Sequence, residues 1–343
     1  MFGFKKTLIA ATALAAVAFG SVAFNDAAMA QEDPGPAAYA AALKDKRVIL
    51  VPMAMGFDLA QGWAAYLKKE VEAFGGVFET RDPNWSIEAG AQAITEAISS
   101  DPKPAALIVH SPDLNSYAKL FKKAQKEGIY VIAIDNPVNY KVDAFIGSDW
   151  DRLGQLEAEA AIKACGENSS KQIGLVQGDQ VNASSLYQYA GIMKVLEKHP
   201  DFKVVAKPDS NWDATTARNV TTTMLQQFPD VCAIIDFWDG DATGTAAAIR
   251  EAGKQDKIAL VTTGGGEKVD CDALENGTFS AVVMTELHNQ SRDINAILKY
   301  LLQSGVAPGT ASTYIYTLER AWTKADLTPT TCWDLKGLQA AAQ

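Results

Sequence analysis

The sequence predicts an α/β protein made of two doubly wound units, each a parallel sheet with helices on both faces. Three observations support this fold class. Short apolar runs alternate with longer segments of helical periodicity along most of the chain. The runs are apolar throughout, which is typical of strands buried on both faces of a parallel sheet. The pattern also restarts midway, and 343 residues suit two domains.

The first thirty residues are predicted to be a secretory signal peptide. Lys5 and Lys6 precede an Ala-rich apolar segment at 8–24, and residues 28–30 (Ala-Met-Ala) have the form of a cleavage site. The alternative is a membrane anchor, but a spanning helix needs about 20 strongly apolar residues. Cleavage after residue 30 predicts a soluble, exported mature chain, located in the periplasm.

The first unit follows a polar, Pro-rich leader. Its strands are predicted at 48–51, 77–80, 105–109, 130–134 and 144–147. The first helix presents Trp63, Leu67 and Val71 on one stripe and ends at the Gly75-Gly76 pair. Further helices are predicted over 86–99 and about 115–127.

The second unit repeats the same alternation. Its strands are predicted at 172–176, 202–207, 232–236, 258–262 and 279–284. Its helices are predicted at 151–164, around 186–196, and at about 214–227 and 241–252. A long helix through Ile294 and Leu301 and a strand at 313–318 complete the pattern.

Composition and charge exclude several classes of protein. A hydrophobic content of 48% is too high for a disordered chain. The formal net charge of −10 argues against nucleic acid as a partner, because phosphate binding needs clustered Lys and Arg. It argues equally against adhesion to an anionic membrane surface.

The four cysteines predict disulfide bonds. An even number in an exported protein allows three pairings, of which we favour Cys165–Cys232 and Cys271–Cys332. Zinc is a weaker interpretation, since no two cysteines are close in sequence and histidine is scarce. Four free buried thiols are the remaining alternative.

The residues that follow the strands are the candidate ligand contacts, since ligands of open α/β sheets bind beyond the carboxyl ends of the strands. They are 55–58, 110–111, 135–136, 178–179, 211–213, 238–239 and 263–264. This set is rich in aromatic rings and in neutral or acidic hydrogen-bonding groups, with almost no cations. Sugars and polyols need this mixture, because rings stack on C–H surfaces while carboxylates and amides bind hydroxyls.

Five motifs, in this order and spacing, resemble the sugar-binding type I periplasmic binding proteins, the ribose-binding-protein-like receptors of ABC transporters. They are VIAIDNP (131–137), FIGSDW (145–150), NWDAT (211–215), FPDVCAIIDFWDGDATGTAAAI (228–249) and NGTFSAVV (276–283). The resemblance implies two Rossmann-like lobes joined by a three-crossing hinge. The N-terminal lobe would comprise 31–148 plus 287–315, and the C-terminal lobe 149–286 plus 316–343.

Carried over by position, the resemblance implies a ligand in the cleft between the lobes. Asp135 falls where the family has a hydroxyl-chelating Asp, and Trp212 falls at a stacking aromatic. Thr285 falls near a Gln at a hinge crossing, and His110 or Ser111 takes the place of an Asn.

Several positions depart from the family pattern. Leu59 and Ala60 replace two aromatics, and nearby Phe57 or Trp63 would supply a ring. Asn136 and Gln188 replace arginines, Trp238 an amide and Gly264 a second Asp, so the resemblance implies a neutral sugar or polyol. The complete predicted ligand set is Phe57, Asp58, Ser111, Asp135, Asn136, Gln188, Trp212, Trp238, Asp239, Gly264 and Thr285.

Structural roles stand beside these functional ones. Asp135 could cap a turn, Trp212 could be a core residue, and Gln188 could face solvent. Trp85 and Trp150 are interpreted as packing or surface residues. No phosphate-binding fingerprint, calcium loop or histidine pair is present in the sequence, so we predict neither a cofactor nor a metal.

Three functions remain open. The first is a receptor that delivers a sugar or polyol to an ABC permease, working as a monomer. The second is the same fold serving a chemoreceptor or histidine kinase in the membrane. The third is an exported carbohydrate-active enzyme, for which Asp135 and Asp239 form the pair of carboxylates to inspect. We expect the first function and no catalysis.

Overall fold

The computed structural model describes residues 33–341, so the predicted signal peptide at 1–30 lies outside the described residues. The first of two six-stranded sheets is entirely parallel, in the order β11-β5-β4-β3-β1-β2. Its strands are β1 (Arg47–Val51), β2 (Val77–Thr80), β3 (Ala106–Val109), β4 (Tyr130–Ile134), β5 (Ala144–Ser148) and β11 (Thr313–Thr317).

The second sheet has the order β12-β10-β9-β8-β6-β7 and is parallel except for its edge strand β12, which pairs antiparallel with β10. Its strands are β6 (Gln172–Val176), β7 (Lys203–Ala206), β8 (Ala233–Asp236), β9 (Ala259–Gly264), β10 (Ala281–Met284) and β12 (Arg320–Trp322). The predicted fold class, two parallel-sheet α/β lobes, is confirmed.

Helices flank both sheets. They are α1 (Gly35–Leu43), α2 (Asp58–Ala73), α3 (Ile87–Ser99), α4 (Ala118–Lys126), α5 (Trp150–Cys165), α6 (Ala183–Leu196), α7 (Ala214–Gln227), α8 (Asp239–Glu251), α9 (Lys268–Glu275), α10 (Leu287–Ser304) and α11 (Leu335–Ala341), with a short 3-10 helix at Lys324–Asp326. Within residues 33–341, no helix has both the length and the apolar character needed to cross a membrane.

Strand β1 shows why the apolar runs form central strands. Leu50 points to one face of the sheet and packs in a cluster with Trp63 of α2. Ile49 points to the other face and packs with Ile94 of α3. Both faces of the strand are therefore covered by helices, and each fully buried side chain contributes roughly 1.5–3 kcal/mol to stability.

The chain passes between the two sheets three times. It crosses from β5 to α5, from β10 to α10, and from β11 to β12. The predicted division of the chain into lobe segments stays a prediction. At the end of the chain, α11 packs against α2, and Trp333 and Leu335 join the core cluster around Trp63.

The elements that sequence reasoning missed are short or peripheral. Helix α1, nine residues from Gly35 with Pro34 as its N-cap, overlaps the Pro-rich leader and was not predicted. Helix α9, strand β12 and helix α11 were also not predicted.

The preferred cysteine pairing is confirmed, since Cys165 bonds to Cys232 and Cys271 bonds to Cys332.

Candidate ligand-binding site

A cavity lies between the lobes, at the carboxyl ends of the strands of both sheets. Its volume is about 70 Å³, which is room for roughly five to seven water molecules. This volume suits one small sugar or polyol rather than an oligosaccharide.

Most of the predicted ligand set meets in this cavity. Seven of its members contribute to the lining: Phe57, Asp135, Asn136, Trp212, Trp238, Gly264 and Thr285. Phe57 precedes α2, and Trp238 precedes α8. Asp135 and Asn136 follow β4. Their ligand contacts stay predictions, but the structure brings them together around one space.

Four predicted residues lie outside the lining. Asp58 is exposed at the start of α2. The Ser111 hydroxyl donates to the carbonyl of Asp113 at 2.8 Å, and the Gln188 amide donates to Glu157 at 2.7 Å. Each of these side chains therefore donates its hydrogen bond within the protein. Asp239 is buried beside the cavity.

Aromatic rings from both lobes face one another across the cleft. The ring of Phe57 lies 5.6 Å from that of Trp85 and 6.1 Å from that of Trp238. Trp85 and Trp212 each lie 6.3 Å from Trp238. The rings form a partial cage, defined here as Phe57, Trp85, Trp212 and Trp238. The structure is thus a closed form, in which the lobes meet around the cavity.

Asp135 is held at the end of β4 by its backbone. Its carbonyl accepts the indole N–H of Trp150 at 2.9 Å, and its N–H donates to the carbonyl of Ile146 at 2.8 Å. Its φ of 61° lies in the left-handed region, which Asp tolerates better than most residues. The side chain is thereby aimed into the cavity.

The Asp135 carboxylate retains acceptor capacity for a ligand. Its two oxygens lie 3.4 Å from the ring nitrogen Nε2 of His110 and 3.4 Å from the amide nitrogen of Gln290, so both contacts are long. Burial raises the pKa of Asp135 to about 7 and lowers the pKa of His110 to about 3. At neutral pH His110 is therefore neutral, and a hydroxyl group that donates to Asp135 would favour the ionised carboxylate.

Trp212 owes its position to a glycine and to backbone strain. A Cβ atom on Gly178 would lie 2.2 Å from the indole ring, so only glycine leaves room for it. Asn211 and Trp212 have φ values of 55° and 57°, and Trp85 across the cavity has 67°. Such conformations cost about 1–3 kcal/mol each and concentrate at functional sites.

Three buried carboxylates form an acidic cluster at one wall, defined here as Asp239, Glu267 and Asp270. One oxygen from each lies within 4.8 Å of the others, and Glu267 lines the cavity. Burial is the main cause that raises the pKa of all three, and mutual repulsion adds to it for Glu267 and Asp270. Among the described residues that line the cavity, none is Lys or Arg.

The acidic cluster lies beside Gly264, the position where the family has a second Asp. A Cβ atom on Gly264 would lie 2.5 Å from a carboxylate oxygen of Asp270 and 2.9 Å from one of Asp239. The carboxylates therefore occupy the direction in which a side chain at residue 264 would point. The arrangement could hold a cation, or it could accept hydrogen bonds from ligand hydroxyls.

Sequence reasoning also missed several lining residues. Trp85 and Trp150, interpreted as packing or surface residues, both line the cavity. Asn182 and Ser184 do so from the start of α6, where the Asn182 side chain caps the helix and donates across the cleft to the Pro112 carbonyl at 2.8 Å. Their position in the sequence, between the end of β6 and the first turn of α6, could have identified them as candidates. Glu267 follows a Gly-rich loop and carried no signal in the sequence.

Comparisons with known proteins agree with this architecture. A family model described as a periplasmic binding protein domain matches residues 48–305. The D-allose-binding periplasmic protein of Escherichia coli is 30% identical over 151 residues, which are 42% of this chain and 48% of that protein. The D-ribose/D-allose-binding protein of Pseudomonas aeruginosa is 24% identical over 240 residues, or 66% and 72% of the two chains.

Solved structures share the fold. An ABC transporter solute-binding protein from Burkholderia graminis, in complex with D-arabinose, superposes with a TM-score of 0.75 at 20% identity, covering 84% of this chain and 99% of that one. One from Actinobacillus succinogenes with bound D-allose superposes with a TM-score of 0.72 at 20% identity, covering 82% and 98%. The matched part spans about half the length of the Escherichia coli relative. The resemblance seen in the sequence is confirmed, and the chain belongs to the periplasmic binding protein family.

Proposed function

We propose that this protein captures one small sugar or polyol in the interlobe cavity and delivers it, in the periplasm, to the permease of an ABC transporter. The observation that carries the proposal is the cavity itself, which lies between two lobes and is lined by aromatic rings and hydrogen-bonding groups. The similar proteins support the ligand class, since two of them are D-allose- and D-ribose/D-allose-binding proteins and a third was solved in complex with D-arabinose.

Binding would couple to closure of the lobes. Phe57 and Asp135 come from the first lobe, and Trp212 and Trp238 from the second, so a ligand touches both sets only in the closed form. The bond from Asn182 to the Pro112 carbonyl also forms only when the lobes meet. A ligand that contacts both lobes therefore shifts the equilibrium towards closure, and the permease would recognise the closed form.

Catalysis is the weaker proposal. The carboxylate pair that a glycosidase would need, Asp135 and Asp239, does not face the cavity jointly, because only Asp135 lines it. A role in sensing uses the same closed form and differs only in the membrane partner. The monomeric state expected from the family likewise stays a proposal.

A thermal-shift screen of pentoses, hexoses, polyols and cyclitols tests the proposal. A ligand at about 100 times its dissociation constant should stabilise the protein by roughly 2.7 kcal/mol. Recovery of the ligand unchanged after incubation separates binding from catalysis. No stabilisation by any member of a broad panel, or conversion of a member into product, would contradict the proposal.

A further inference from the structure

We infer that the ligand carries a protonated amine as well as hydroxyl groups, and that the amine sits between the aromatic cage and the Glu267 carboxylate. This inference rests on the proposed function, because it names the class of sugar or polyol that the same cavity would take. Amino sugars and amino polyols are that class.

The first observation is a group of three buried carboxyl groups at the cavity wall. Asp239, Glu267 and Asp270 are 6%, 7% and 0% exposed. Among the described residues, no Lys, Arg or His forms an ion pair with any of these three carboxyl groups. Carboxyl groups buried together ionise only at a cost, and a cation placed beside them favours their ionised form and is held by it.

The second observation is that oxygens of this cluster lack hydrogen-bond partners. Oε2 of Glu267 and Oδ1 of Asp270 are buried and accept no hydrogen bond from the described residues. Glu267 is the member that reaches the cavity lining. An ammonium group there would supply donors to an orphaned acceptor and positive charge to the cluster in one contact.

The third observation is the aromatic cage. The four rings lie 5.6–6.3 Å from their neighbours and enclose the same cavity that Glu267 lines. The negative faces of such rings attract cations, and ammonium ligands are commonly held in cages of this kind. A metal ion would use the carboxylates but would gain little from the rings, so the combination favours an organic cation.

The expectation of a neutral ligand assumed that Gly264 removes a carboxylate from the site. The structure places Asp239 and Asp270 in the space beside Gly264, and Glu267 follows in the same loop. The cleft thus lacks the two arginines that the family has at residues 136 and 188, and it gains carboxyl groups. Both make the cleft a better host for a positive group than for a neutral one.

Calorimetric titration with matched pairs tests the inference: D-glucosamine against D-glucose, D-galactosamine against D-galactose, and 1-amino-1-deoxy-D-sorbitol against D-sorbitol. At least one amine should bind about tenfold more tightly than its neutral partner, the gain expected when a hydrogen bond becomes charge-assisted. Glu267→Gln should abolish that preference. Glu157→Gln, which removes a buried carboxylate outside the cavity lining, should retain it.

The outcomes separate the two proposals. If neutral sugars bind as tightly as their amines, the amine inference fails while the proposed function stands. If neither kind binds, both fail. Tight binding of CaCl₂ alone that depends on Glu267 would assign the cluster to a metal ion and would also overturn the inference. Should Glu267→Gln not fold, the matched pairs on the unchanged protein decide the matter alone.

Discussion

Replacing Asp135 by Asn should weaken ligand binding while leaving the fold intact. The substitution keeps the shape of the side chain and removes its charge. Asn is also well tolerated at the left-handed φ of 61° that residue 135 adopts, so the backbone has no reason to move. The change therefore isolates the acceptor strength of one carboxylate.

The magnitude follows from the free oxygens of Asp135. Both oxygens have only long contacts at 3.4 Å, so each can accept from a ligand hydroxyl. A hydrogen bond to a charged group contributes about 1.5–3 kcal/mol, against about 0.5–1.5 kcal/mol for a neutral one. Asn keeps one acceptor oxygen and replaces the other with an NH2 group that cannot accept. Losing charge assistance on one bond and the acceptor of the other costs at least about 2–3 kcal/mol, so the dissociation constant should rise roughly 30- to 150-fold or more.

The stability of the free protein should change in the opposite sense. Burial raises the folded-state pKa of Asp135 to about 7, above its unfolded value of 3.8, so the folded state binds the extra proton. Its contribution to stability is therefore greatest at low pH and is lost as pH rises towards 7. Asp135→Asn removes that loss and should raise the melting temperature at pH 8 relative to the unchanged protein.

Calorimetric titration with the strongest ligand of the screen measures the first effect, and thermal unfolding at pH 5 and pH 8 measures the second. Glu157→Gln serves as the matched control, because it neutralises a buried carboxylate that does not line the cavity. An Asp135→Asn variant that binds within twofold of the unchanged protein would refute the reasoning. So would a control that loses affinity to the same extent.

Three further predictions concern the cage, the charges and the disulfides. Gly178→Ala should displace the Trp212 ring and weaken ligand binding by about 2- to 10-fold in calorimetry, the contribution of one aromatic contact. The control Gly56→Ala, whose added Cβ meets no atom within 4 Å, should bind as tightly as the unchanged protein, and equal affinities of the two variants would contradict the role of the ring. The melting temperature should fall between pH 5 and pH 8, because burial raises the pKa values of many carboxyl groups and their ionisation destabilises the folded state. A melting temperature that rises over this range would contradict the raised pKa values. Replacing Cys271 and Cys332 by Ser should lower the free energy of unfolding by about 4 kcal/mol, given their sequence separation of 61, and the melting temperature by about 10 °C. An unchanged melting temperature would mean that this disulfide does not form in the exported protein.

The fold could be predicted because its signals are local. Strands such as β1 and β4 are buried on both faces, so their fully buried residues, 48–51 and 131–134, are all apolar and the run is visible in the sequence. The missed elements carry weaker signals. Helix α1 begins at Gly35 directly after Pro34, a pair that is typical of a loop. Strand β12 has three residues that pair only through a long-range antiparallel contact.

The site could be predicted only in part. The positions after the strands identified Asp135, Trp212 and Trp238 as candidates, because the topology of a parallel sheet fixes where strand ends meet. The role of Gln188 was not visible, since its bond to Glu157 depends on how α5 packs against α6.

The crystal structure of the protein with its tightest ligand tests the central claim most directly. We expect the ligand enclosed between the lobes, with hydroxyl groups on the Asp135 carboxylate and its C–H face against the ring of Trp212 or Trp238. A ligand bound to the surface of one lobe, with Asp135 and Trp212 both outside the contact, would contradict the account.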